Sequence, residues 1–287
     1  MKFYKQKNPK SSLIAETDGS YYNLTAARSR VKELKELFRA SELSGVKLSD
    51  LTEQIIYEEG TPNVNLLPDQ LEIPFSPDEV WAAGVTYKIS EEARQRESEM
   101  SEIYLDIYES KRPELFLKAT PSRVVGPNDP IGVREDSEWN VPEPELGLVL
   151  YKDELIGYTV GNDVSSRSIE GSNPLYLPQA KVYNRSCAIG PSFLYSDQLE
   201  PYNFEISMEI LRDGISVYEG LTSTNQLNRS FDELIEYMSK SNILNDLTVL
   251  LTGTSLVPPD EFDLKDGDVV NITIEGIGTL TNPVVSV

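Results

Sequence analysis

Glu143 and Glu145 in the run EWNVPEPELGLVL, with Asp163 in GYTVGNDVSSR, are the residues whose type and spacing most readily do chemistry. Along an extended strand side chains alternate, so Glu143 and Glu145 point to one face. The apolar run Leu155 to Val160 reads as the returning strand of a hairpin that turns near Lys152 to Glu154. A three-residue loop sets Glu143 opposite Asp163, whereas a two-residue loop puts Asp163 on the other face, because a slip of one residue inverts every side chain. The sequence leaves this register open. The three-residue form is adopted because three carboxylates on one face then share a counterion, and oxygen-only ligation suits Mg²⁺, Mn²⁺ or Ca²⁺. The same spacing also describes two acids on a solvated strand face. Pro142 and Pro144, followed by Leu146, Leu148, Val149 and Leu150, instead mark an interrupted edge or a bulged strand end running into a core.

Composition narrows the chemistry further. The 287 residues include no histidine and one cysteine, Cys187. Ser-His-Asp and Cys-His devices, histidine ligation and a thiolate zinc site are therefore excluded. What remains is carboxylate, lysine, tyrosine, hydroxyl and backbone chemistry, or a bound ion. The formal charge of −21 argues against nucleic acid or an anionic membrane as partner, since phosphates would be repelled. No apolar run approaches the roughly 20 residues needed to cross a bilayer. The start, MKFYKQKNPKSS, lacks the hydrophobic centre of a signal peptide, and a lone cysteine forbids an internal disulfide; a cytoplasmic protein is expected.

The elements that must position these residues divide near a proline-rich stretch, TPNVNLLPDQLEIPFSPDE. Residues 1–75 read as a small α/β domain, with a strand pair within Lys2 to Tyr22 and a helix from about Thr25, its cap, to Ser41. Residues 76–287 read as the β-rich main domain. VWAAGVTY is a buried strand whose glycine admits a close neighbour, and Ser90 starts a charged helix running to about Ser110. RPELFLKAT is a strand with Glu114, Phe116 and Lys118 on one face. The long stretch from Ser165 to Leu194 lacks regular periodicity yet is ordered by its tyrosines and apolar residues. Alternating runs follow at Tyr202 to Glu209, Leu211 to Leu221 and Val269 to Glu275, with one capped helix from Phe231 to Ser239. The Gly-Thr turn in LLTGTSLVPP offers amides to an anion. No glycine-rich nucleotide motif is present.

Phe116-x-Lys118, the PEPEL strand, GYTVGNDVSSR, a lysine ahead of Gly190-Pro191 and LTGT at Leu251–Thr254 together resemble the fumarylacetoacetate hydrolase family, from about Val80 onward. The resemblance implies an α+β fold with a mixed β-sandwich or β-roll. It also implies one Mg²⁺, with Mn²⁺ or Ca²⁺ as substitutes, on Glu143, Glu145 and Asp163, and a homo-oligomer. RPELFLKATPSRVVG, DSEWNVPEPEL and NPLYLPQAKVY are similar to the branch that dehydrates 2-keto-3-deoxy-D-arabinonate to 2,5-dioxopentanoate, which also carries a small N-terminal domain. Family hydrolases place a catalytic histidine three residues after the tyrosine of a G-x-N-Y motif. GVTYKIS places Ser90 there, so their water-activating pair is not inherited. Ser168 stands where the common form of the loop has aspartate and receives no role. The resemblance implies Glu114 and Lys181 as acid and base, in unassigned order, and Tyr87, Lys118 and Thr254 as contacts to a small 2-oxo sugar acid. A cation pulls down the pKa of a lysine beside it and an apolar pocket pushes up that of a glutamate, which suits both to proton transfer near neutrality. The alternative within the family is a hydrolase, decarboxylase or isomerase of 2-oxo acids.

Overall fold

The structure is a computed structural model that describes residues 1–7, 10–58, 61, 63–88, 107–196 and 203–287. Among these residues a large mixed sheet is overlaid by a five-stranded one. The large sheet runs, edge to edge, through Ser20–Asn23, Ser11–Thr17, Lys2–Lys7, Cys187–Tyr195, Glu154–Asp163, Pro144–Tyr151, Leu247–Leu251, Glu79–Gly84 and Glu114–Ala119. The second runs through Ile215–Ser223, Glu205–Arg212, Val269–Ile274, Gly278–Ser286 and Ile131–Val133.

The strand Pro144–Tyr151 is central and buried on both faces, which explains its unbroken apolar run. Leu146, Leu148 and Leu150 pack toward Ile206, Met208 and Ile210 of the smaller sheet. On the opposite face Val149 and Val249 join Leu34, Leu37, Phe38 and Ile55 from the N-terminal helices. This alternation places Glu145 and Glu143 on the face that carries Val149. An α+β architecture results, as the sequence predicts. No helix among the described residues is long and apolar enough to cross a membrane.

The helical expectations change. The helix predicted from Thr25 to Ser41 is two helices, Leu24–Ala27 and Leu34–Ser44. Thr25 does not cap; its hydroxyl accepts from Leu13 N and donates to Val31 O, while Asn23 caps the first helix and a Glu33–Glu36 capping box starts the second. The strand Lys2–Lys7 pairs with Cys187–Tyr195, and the helix Leu34–Ser44 shares a core with strands of residues 76–287. The aperiodic stretch after Ser165 contains two short helices, Arg167–Ser172 and Leu177–Lys181. The helix expected from Ser90 to Ser110 falls almost wholly outside the described residues, Ser90 included.

Candidate active site

The hairpin register is where local geometry decides the chemistry. Tyr151 pairs with Glu154, so the turn holds only Lys152 and Asp153, with Lys152 in the left-handed region at φ 60°. That two-residue turn alone would point Asp163 away from the glutamates. A β-bulge reverses the outcome: Leu150 pairs with Leu155 and Val149 with Gly157, which leaves Ile156 as the extra residue. Beyond it Pro144 pairs with Asn162, and Asp163 N donates to Glu143 O at 2.9 Å. The predicted opposition of Glu143 and Asp163 therefore stands, through a bulge rather than a three-residue loop. Gly157 beside the bulge has φ 154°, and a Cβ there would lie 2.1 Å from Leu194 O.

Glu143, Glu145 and Asp163 are all buried, and each offers an oxygen within 4.8 Å of the others. Buried charges must be compensated, and three cations do so here. Lys181 Nζ donates to Glu143 Oε2 at 2.6 Å, Asp163 Oδ2 at 3.1 Å and Ser165 Oγ at 2.6 Å. Arg167 Nη2 lies 2.8 Å from Glu143 Oε1. Lys118 Nζ lies 2.7 Å from Asp163 Oδ1 and donates to Val164 O and Lys181 O. Two hydrogen bonds to carbonyls and one ion pair thus surround the Lys118 ammonium. Lys118 is fully buried beside Asp163 and is not among the residues that line the cavity between the acids.

Glu145 is held differently. Gly253 N donates to its Oε2 at 2.6 Å, so the anion expected at the Gly-Thr turn is this carboxylate. Burial, then the charges of Asp163 and Glu143, hold the Glu145 carboxyl well above its ordinary range. A divalent cation would relieve that repulsion. Three convergent hard oxygens, with no histidine in the chain, fit such an ion. The register neighbour of Asp163, Cys187, is fully buried with its thiol pushed up to about 12 by burial, so it offers no thiolate.

A cavity of about 20 Å³, room for an ion or a water, lies among these groups. Glu114, Lys181 and Thr254 of the predicted residues line it with the three acids. Glu114 reaches it because its register partner is Gly84: a Cβ on Gly84 would sit 1.9 Å from Glu114 Oε2. Tyr87 is buried in an isolated bridge to Leu227, does not line the cavity, and has its phenol pushed up by burial and then by Glu145. The hydroxyls of Ser168 and Ser137 are hydrogen-bonded at 2.9 Å.

Two lining residues, Arg167 and Glu170, were not anticipated from the sequence. They stand three apart on the short helix Arg167–Ser172, whose N-cap Ser166 accepts from Ile169 N. The i, i+3 spacing of opposite charges just after Asp163 was the available signal.

Known proteins can now be set beside this geometry. The family model "Fumarylacetoacetate (FAA) hydrolase C-terminal" matches residues 79–285. The chain is 50% identical over 276 residues to a probable 2-keto-3-deoxyxylonate dehydratase of Haloferax volcanii, covering 96% of each. It is 42% identical over 271 residues to 2-dehydro-3-deoxy-D-arabinonate dehydratase of Saccharolobus solfataricus, covering 91% of this chain and 90% of that one. Among solved structures it resembles 2-keto-3-deoxy-D-arabinonate dehydratase complexed with magnesium and 2,5-dioxopentanoate, with TM-score 0.82, 35% identity, and coverage of 100% and 99%.

Proposed function

The chain belongs to the fumarylacetoacetate hydrolase family, and from that premise we propose that it is a divalent-metal-dependent hydro-lyase that converts 2-keto-3-deoxy-D-arabinonate to 2,5-dioxopentanoate and water. The same compound is 2-keto-3-deoxy-D-xylonate, so either pentose can supply it. The observation that carries the reading is Lys181 Nζ at 2.6 Å from Glu143 Oε2, in a buried cavity that also holds Glu114, in a chain without histidine.

Glu143, Glu145 and Asp163 would hold one Mg²⁺, with Mn²⁺ or Ca²⁺ as substitutes. The ion supplies Lewis-acid stabilisation of the negative charge that develops on the 2-oxo oxygen as C3 loses a proton. Lys181, at the Glu143–Asp163 edge of the cavity, takes that C3 proton. Glu114, on the neighbouring strand, gives a proton to the departing C4 hydroxyl. The enone that remains reaches the product by loss of a C5 proton with protonation at C3, which leaves an enol that ketonises by protonation at C4 and loss of the C5 hydroxyl proton. These transfers are open to the same two groups in reverse roles. Thr254 Oγ1 accepts from Leu256 N and keeps its own proton to donate to the substrate. Lys118 and Arg167 orient Asp163 and Glu143.

Hydrolysis would require a base that activates water, and no histidine exists to do it. The reading further places the protein in the cytoplasm as a homo-oligomer, in line with the family resemblance. Incubation with a panel of 2-keto-3-deoxy acids and Mg²⁺, with product identification, tests it. The expected product is 2,5-dioxopentanoate. Faster cleavage of acylpyruvates than dehydration of the deoxy sugar acid would transfer the assignment to a hydrolase.

A further inference from the structure

Ser165 is a buried hydroxyl that touches the proposed base and that the proposed chemistry does not use. It stands two residues beyond Asp163, on the same face of an extended chain. Its strand, Ser165–Ser166, pairs with Asn140–Val141, which fixes it to the segment that leads into Glu143. The hydroxyl proton is already engaged, because Ser165 Oγ donates to Asp163 O at 2.9 Å. A hydroxyl held in that way can only accept a further bond, and it accepts from Lys181 Nζ at 2.6 Å. Ser165 is not among the residues that line the cavity, so its influence on a substrate passes through the lysine.

The carboxylates that accept from Lys181 have a second duty. Glu143 and Asp163 belong to the group that would hold a divalent ion, whereas Ser165 is uncharged and stands outside that group. To remove a proton, an amine must present its lone pair, which leaves two N–H bonds to be held. The acceptors of those two bonds set the direction of the lone pair. We propose that Ser165 is a positioning residue, which keeps Lys181 Nζ aimed at C3 of a 2-oxo acid while Glu143 and Asp163 serve the ion. The C3–H bond then breaks, its proton passing to Nζ and its electron pair to the 2-oxo oxygen. The role rests on Lys181 as the C3 base in the proposed function, and not on which group leaves from C4.

2-Oxobutyrate has C3 protons and no leaving group at C4, so it isolates that step. Exchange of its C3 protons in D₂O with Mg²⁺ is followed by proton NMR, and Kd for Mg²⁺ and for 2-oxobutyrate by calorimetry. Ser165→Ala is expected to lower kcat for exchange at least about tenfold, with KM and both Kd values within about twofold of wild type. The same loss is expected in kcat for 2-keto-3-deoxy-D-arabinonate. Ser165→Thr, which keeps the hydroxyl, should recover most of the rate. An unchanged kcat in Ser165→Ala, or equal losses in the two variants, overturns the inference. A fall in Mg²⁺ affinity that matches the loss of rate also overturns it, because Ser165 would then act through Asp163. If the wild-type protein exchanges C3 protons but does not dehydrate the deoxy acid, the dehydratase reading falls and the role of Ser165 stands. If it dehydrates the deoxy acid and Ser165→Ala keeps the wild-type rate, the reading stands and the inference falls. A wild-type protein that does neither overturns both.

Discussion

The ammonium of Lys118 is fully buried and divided among Asp163, Val164 O and Lys181 O. Replacing it by methionine keeps the volume but removes the ion pair to Asp163 Oδ1 and the donor to Lys181 O, while Lys181 still donates to Asp163 Oδ2 and the Tyr183 hydroxyl to Val164 O. Breaking a buried pair from one side costs about 3–5 kcal/mol. Lys118→Met is therefore expected to lower thermal stability by that order while KM at saturating metal stays near wild type. A raised KM with unchanged stability would return Lys118 to the substrate. Glu145 makes a pH-dependent prediction. Its raised carboxyl means that the metal-free fold keeps a proton which the unfolded chain releases above its ordinary value of 4.5. Metal-free stability contributed by this group is complete below that value and is lost as pH rises through the folded pKa. A metal ion replaces the proton and removes the penalty. The gain in Tm on adding Mg²⁺ should thus grow as pH rises above the ordinary carboxyl value of 4.5, and Glu145→Gln should weaken the pH trend of the metal-free protein. A gain that is flat with pH would contradict this.

At the scale of elements, the bulge at Ile156 is the device that aims Asp163. Deleting Ile156 would let the two-residue turn set the register of the whole strand, sending Asp163 to the opposite face. We expect the deletion to abolish metal binding by calorimetry while far-ultraviolet circular dichroism retains the β signal. Undiminished metal affinity would show that the bulge relocates instead of closing. The same hairpin shows what was legible in the sequence. The strand pattern, the face shared by Glu143 and Glu145 and the pairing with Asp163 follow from alternation and the need for a counterion. The bulge does not, because a two-residue turn with one extra residue and a three-residue loop place Asp163 alike. The surroundings of Lys118 were hidden for a related reason: two of its three partners are backbone carbonyls, which carry no sequence signal. The anion at the Gly-Thr turn is not legible in the sequence because it is Glu145, which lies far away in the chain. Glu170 went unassigned because the helix Arg167–Ser172 is too short to show a periodic stripe.

For the whole molecule, two properties set stability: its charge and the continuity of its sheet. A formal charge of −21 makes the folded state repel itself, and added salt screens such repulsion over a Debye length of about 10 Å at 0.1 M. Tm is expected to rise with KCl across the first molar or so; a fall would mean that pairs such as Lys35–Asp78 and Arg39–Asp246 dominate the balance. Those pairs tie the helix Leu34–Ser44 to the body of the protein, and the packing beneath them is tighter still. Phe3, Leu13, Leu34 and Leu37 have no exposed surface and share one core with Phe193, Val249 and Ile189. The family model begins at residue 79, so residues 1–75 lie outside the part it matches. Physically, their removal would strip the edge of Cys187–Tyr195 of its pairing with Lys2–Lys7 and open an apolar face to water. At about 25 cal/mol per Å² of apolar surface, exposing several large side chains outweighs the 5–15 kcal/mol that typically separates folded from unfolded. A chain of residues 76–287 should therefore aggregate or bind hydrophobic dye, and should recover neither Mg²⁺ binding nor turnover. A soluble, metal-binding 76–287 fragment with a cooperative melt would instead establish the N-terminal part as an independent domain.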